Sequence, residues 1–98
     1  MEKDIERYLK NEVDRLGGMC LKFVSPGHAG VPDRIVILPG GRVWFVELKA
    51  PGGRVRPLQQ WWHKQLRAMG VPSLIIKSRA EAEAYVHKLR NVVMGYEV

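Results

Sequence analysis

Asp33, Glu47 and Lys49 are the residues of this 98-residue chain whose types and spacing could do chemistry. Glu47 and Lys49 stand two positions apart at the end of the apolar stretch Val43-Trp44-Phe45-Val46-Glu47-Leu48-Lys49. Asp33 follows Pro32, just before another apolar run. β-branched and aromatic residues fill the stretch, which predicts a strand. Alternate residues of a strand share a face, so Val43, Phe45, Glu47 and Lys49 point one way and Trp44, Val46 and Leu48 the other. Both faces begin apolar, the pattern of a central strand covered on two sides. Charge in such a place is costly unless it is paired or bound to a metal. Two carboxylates meeting at one point could hold a hard cation such as Mg²⁺, with the backbone carbonyl of Leu48 as a further oxygen. A cation there polarises a phosphate and lowers the pKa of a bound water. Lys49 could stabilise the charge added at phosphorus and orient the attacking water. That is the chemistry of phosphodiester hydrolysis. The plainer alternative is a surface ion pair at a strand end, with Asp33 as a turn residue.

Such a site needs elements that bring position 33 beside position 47. Lys3 to Leu16 fit an amphipathic helix with Ile5, Leu9, Val13 and Leu16 as its stripe, ended by Gly17-Gly18. Glu2 falls on that stripe and Glu6 near its edge; an acid there could reach a site or complement the helix dipole. Met19 to Val24 reads as a strand and Ser25 to Gly30 as a loop. Ser25 and His28 could touch a phosphate or serve as turn residues. Arg34 to Leu38 forms the next strand, and Pro39-Gly40-Gly41 turns it into an antiparallel hairpin with the stretch above. The open ends of that hairpin are neighbours, which gathers Asp33, Glu47 and Lys49 at one edge. Ala50 to Arg56 is a loop carrying Arg54 and Arg56, and Pro57 suits the first turn of a helix. Leu58, Trp62, Leu66 and Met69 form that helix's apolar stripe, with Gln59, His63 and Arg67 on one flank and Trp61 on the other. An off-stripe tryptophan suggests an interface, base stacking or partial burial. Ser73 to Ile76 is a short strand, parallel to its neighbour after a helical crossover. Ser78 and Glu81 form a capping box for a last helix with Ala82, Tyr85, Val86 and Leu89 facing inward. Val92-Val93-Met94 is an apolar tail that could pack on the domain or on a second subunit. The order αβββαβα over residues 1–98 makes one α/β domain, a four-stranded mixed sheet flanked by helices.

A net charge of +6 and a pI near 9.8 point to a polyanion, with nucleic acid ahead of an anionic membrane surface. The candidate DNA contacts are Ser25, His28, Arg34, Arg54, Arg56, His63 and Arg67, with Lys22, Arg42 and Lys64 as further phosphate contacts. No apolar run is long enough to span a membrane, and the charged N-terminus is not a signal peptide. The single cysteine, Cys20, cannot form an internal disulfide and reads as a buried thiol in a reducing, cytoplasmic setting. His28, His63 and His87 lack metal-ligand spacing with Cys20. There is no nucleotide-binding loop and no nucleophile elbow.

Gly30-Val31-Pro32-Asp33-Arg34 followed by Val46-Glu47-Leu48-Lys49 resembles the PD…(D/E)xK signature of restriction-endonuclease-like nucleases. Pro57-Leu58-Gln59-Gln60-Trp61-Trp62, running on to Leu66 and Gly70, is similar to the virus-type replication-repair nuclease branch, the VRR-NUC domain. The resemblance spans nearly the whole chain. It implies a restriction-endonuclease-like core and a Mg²⁺- or Mn²⁺-dependent, structure-specific DNA endonuclease. It implies Asp33 and Glu47 as metal ligands, Lys49 as the catalytic lysine and Gln59 as the glutamine after the core motif; Gln60 points outward on a helical wheel. Glu2, or Glu6 one turn on, matches the glutamate of the N-terminal helix. Small stand-alone members resemble Holliday-junction resolvases, and a two-fold homodimer would match a four-way junction with two active sites. The expectation is therefore a junction-cutting homodimer of phage or bacterial origin, without a nucleotide cofactor. The alternatives are a less selective flap or duplex nuclease and a catalytically silent basic DNA-binding module.

Overall fold

Turn residues and apolar periodicity divide the described residues into seven elements. The structure, a computed structural model, describes residues 2–97. In chain order the elements are α1 (Glu2–Arg15), β1 (Met19–Lys22), β2 (Arg34–Leu38), β3 (Arg42–Leu48), α2 (Pro57–Ala68), β4 (Ser73–Ile76) and α3 (Arg79–Val93). The sheet order is β1-β2-β3-β4, with the first two pairings antiparallel and β3 parallel to β4. This is the α/β restriction-endonuclease-like arrangement expected from the sequence.

The two faces of the sheet are unequal. Val36, Trp44, Val46, Leu48 and Ile76 are buried with Ile5, Leu9 and Val13 of α1 and Ala82, Tyr85, Val86 and Leu89 of α3. Each fully buried aliphatic side chain contributes roughly 1.5–3 kcal/mol, so this face carries most of the stability. Glu12, buried between the two helices, accepts from Arg90 of α3 and from Arg15. Ser78 caps α3 by accepting from the Glu81 N–H; the return bond from Glu81 goes to the N–H of Lys77, one residue earlier than a capping box places it. Cys20 is half-buried; burial pushes its thiol up to about 11, so it stays protonated and unreactive near neutral pH.

The other face carries α2. Ser73 of β4 shares a face with its register partner Phe45, and its hydroxyl meets the His63 ring of α2. The Arg67 side chain donates to the Ser73 carbonyl at 2.8 Å, and the Trp62 indole donates to the Ala29 carbonyl at 2.9 Å. The buried side of α2 is therefore not the expected stripe. Leu58 and Met69 are exposed, while His63 is the most buried residue of the helix. Polar bonds to Ser73 of β4 and to Ala29 in the loop between β1 and β2 rotate the helix, and apolar spacing alone cannot register such anchors.

Gly30 permits that docking. Its φ is +85°, and a Cβ there would lie 2.9 Å from Leu58 Cγ and 3.3 Å from the Gln59 nitrogen. Gly30→Ala is expected to destabilise the fold by about 1–3 kcal/mol, since it adds a left-handed strain to an overpacked contact. The urea midpoint of unfolding measures this.

Candidate active site

The hairpin register sets the site. Arg34 pairs with Val46, and one further step places Asp33 opposite Glu47. Pairing continues that far on the outer side, because the Phe23 N–H donates to the Asp33 carbonyl at 2.8 Å. Directly opposed residues share a face and stand about 5 Å apart at Cβ. That face is the α2 side, since Glu47 lies two residues beyond Phe45. Lys49 follows on the same face, held by its N–H on the Ile76 carbonyl at 2.9 Å.

These three side chains line a cleft of about 960 Å³. Its opposite wall is the loop after β3 and the start of α2, with Gly53, Arg54, Val55, Arg56, Pro57 and Gln60. Glu47 is only 5% exposed, at the floor. Leu48 also borders the cleft although its side chain is buried on the far face, so its backbone is what it presents there. The first turn of α2 adds the positive end of a helix dipole, which favours an anion such as phosphate. Two carboxylates beside three cationic side chains can hold a divalent cation and a phosphate together.

The donor set suits a hard cation. Among the described residues no three His, Cys, Asp or Glu side chains cluster as a metal site. A cation between Asp33 and Glu47 would thus have two carboxylates, the backbone near Leu48 and several of its own waters, which is the habit of Mg²⁺. The side chain of Glu2 lies outside the described residues. Glu6 is engaged elsewhere, in an ion pair with Arg34.

Several expected contacts fall outside the cleft. Arg34 points to the α1 face by strand alternation, and its guanidinium is largely buried between Glu6 and the Asp33 carbonyl. It ties α1 to the site strand and presents no free charge to DNA. His63 is buried against Ser73, beneath α2. Arg67 is exposed in part while it fastens α2 to β4. Ser25 and His28 bond each other at 3.1 Å in the loop beside Trp62, whose ring meets His28 edge-on. Arg54 and Arg56 alone of the expected DNA contacts line the cleft. The Gln59 carboxamide caps α2, accepting from the Arg56 N–H at 2.9 Å, and it is Gln60 that borders the cleft. A helical wheel centred on Leu58 and Trp62 points Gln60 outward. With α2 turned towards His63, its first turn overhangs the loop, where Gln60 donates to the Val55 carbonyl.

Burial holds the His63 imidazole below the ordinary histidine value of 6.5, and the Arg67 charge adds to this. The unfolded chain then binds the proton that the folded chain resists, so stability is present above pH 6.5 and falls as pH drops below it. The urea midpoint is expected to be lower at about pH 5 than at about pH 7.5, and His63→Gln should shrink that difference.

Comparison with known proteins identifies the family. The family model for the VRR-NUC domain matches residues 5–80, a span that includes Asp33, Glu47, Lys49 and all of α2. The chain is 47% identical over 78 residues to the putative nuclease p44 of Acyrthosiphon pisum secondary endosymbiont phage 1, covering 80% of this chain and 84% of that protein. A solved structure of a VRR_NUC domain superposes with a TM-score of 0.81 at 31% identity, covering 88% of this chain and 94% of the other. With sequence and fold in agreement, the chain belongs to the VRR-NUC nuclease-domain family.

Proposed function

We propose that this chain, as a single domain, is a divalent-metal-dependent endonuclease that hydrolyses phosphodiester bonds in branched DNA, acting as a homodimer on four-way junctions. The observation that carries the reading is the opposition of Asp33 and Glu47 at the floor of a cleft that Lys49, Arg54 and Arg56 make cationic. Asp33 and Glu47 would hold Mg²⁺ or Mn²⁺, which supplies a polarised phosphate and a water of lowered pKa. Lys49 orients that water and stabilises the charge gathering at phosphorus. Arg54, Arg56 and the first turn of α2 position the phosphate. Water forms the new P–O bond in line and gives up a proton to solvent, the opposite P–O bond breaks, and the leaving oxygen takes a proton from solvent. Exposed Val93, Met94 and Tyr96 at the end of α3 supply apolar surface for a second copy. Among the described residues no helix is long and apolar enough to cross a membrane, and the phage relative fits work inside a bacterial cell.

The test compares a four-way junction, a flap and a linear duplex at equal concentration, with Mg²⁺, Mn²⁺, Ca²⁺ or a chelator. Paired nicks in the junction are expected with Mg²⁺ or Mn²⁺ and none with chelator. Equal cutting of all three substrates would make the enzyme a less selective nuclease. Salt-sensitive binding without product in any metal would make it a silent binding module. Sedimentation should give twice the chain mass at working concentration, and a monomer would remove the dimer.

A further inference from the structure

Next to the cleft, on the same face of the sheet, lies a smaller cavity of about 180 Å³ that the hydrolysis does not use. Phe23, Phe45, Trp62, Leu66 and Pro32 line it, and exposed His28 stands at its rim. Phe23 and Phe45 meet edge to face at 5.4 Å, and His28 and Trp62 at 5.8 Å. The rings of Phe23, Phe45 and Trp62 are half-buried, so they leave an open cavity and do not close on one another as a sealed core.

We propose that this cavity receives one unpaired base of the DNA strand being cut. The inference rests on the nuclease reading and narrows its substrate class to DNA with an unstacked nucleotide beside the scissile phosphate.

Shape, chemistry and position all favour a base as the occupant. An apolar cavity of about 150 Å³ takes one benzene ring, so this one has room for a single-ring base, and a purine would protrude. Every base offers a π-face that stacks on aromatic side chains. The cavity adjoins the reacting centre directly. Pro32 precedes Asp33, Phe23 stands opposite Asp33, and Phe45 lies two residues before Glu47 on the same face. Two strand residues span about 7 Å, close to two base rises along one DNA strand. The two pockets also divide the work of one nucleotide. Lys49, Arg54 and Arg56 serve the phosphate in the cleft, while among the described residues no Lys, Arg, Asp or Glu lines the cavity. Extruding a base from a duplex costs stacking and pairing, and the cost is least where the base is already unpaired. A cavity that stacks the extruded base therefore selects branch points and bulges over plain duplex.

The experiment uses the full chain with Asp33→Asn, in Ca²⁺, bound to duplexes that carry one unpaired 5-iodouracil at successive positions around the cut. Irradiation is expected to cross-link one position to Trp62, Phe45 or His28, with little cross-linking when the same base is paired. In parallel, Phe23→Leu and Phe45→Leu, each made singly in the active chain and checked for folding by circular dichroism, should lower the ratio of unpaired to paired cleavage at least about tenfold. Cross-links confined to cleft residues, or a ratio unchanged in both folded variants, would overturn the proposal and leave the cavity to a protein side chain. A chain that cuts no DNA would defeat the nuclease reading instead, and the cross-link would still decide the cavity.

Discussion

Asp33→Asn and Glu47→Gln are each expected to lower the cleavage rate by three orders of magnitude or more, about 4 kcal/mol of transition-state stabilisation. Both changes keep the size and planarity of the side chain and remove its charge. One register step beyond the Arg34–Val46 pair sets Asp33 opposite Glu47, so losing either would leave a cation held there with one protein carboxylate and an unfixed position. Folding should survive. Asp33 borders the strand at a bend, and Glu47 becomes a neutral amide of the same size, a cheaper group to bury than a carboxylate. A readout independent of activity is the response of thermal unfolding to Mg²⁺. A ligand at ten times its Kd stabilises the folded state by about 1.4 kcal/mol, which raises the midpoint by several degrees in a domain of this size. The unsubstituted chain should show that rise and both variants should lose it. A variant that still cuts at a tenth of the original rate would remove its residue from the metal site.

Lys49→Met is expected to lower kcat by about 10²–10³-fold while KM for DNA changes much less. Lys49 stands at the end of β3, two residues past Glu47, with its backbone secured on Ile76 and its side chain bordering the cleft. Methionine keeps the straight apolar stem and removes only the ammonium, so the loss reports charge and not packing. Binding should persist because Arg54 and Arg56 remain on the opposite wall. Lys49→Arg separates charge from position: a guanidinium is larger and forked, and it should restore only part of the rate. Single-turnover cleavage alongside equilibrium binding in Ca²⁺ measures both terms. A rise in KM with kcat unchanged would make Lys49 a phosphate contact only.

Much of this site could be read before any coordinates, because strand and turn chemistry are local. Alternation in Val43–Lys49 put Glu47 and Lys49 on one face, and Pro39-Gly40-Gly41 fixed the hairpin that carries Asp33 to a place opposite Glu47. A register needs only a turn length and a period of two. Arg34, expected as a DNA contact, instead turns to the α1 face and pairs with Glu6. Its partner Glu6 is 28 residues away, on an element whose packing against the strand no local pattern reveals.

The sequence by itself determined the order of elements, the opposed carboxylates and the family, since each depends on neighbours along the chain or across a tight turn. Only the tertiary structure decided the rotation of α2, and with it the burial of His63, the exchange of Gln60 for Gln59 at the cleft and the aromatic cavity beside Asp33. A helix is turned by the contacts that reach it from distant segments, here the Ser73 hydroxyl and carbonyl and the Ala29 carbonyl. Such bonds can outweigh the modest difference between burying one apolar flank and the next.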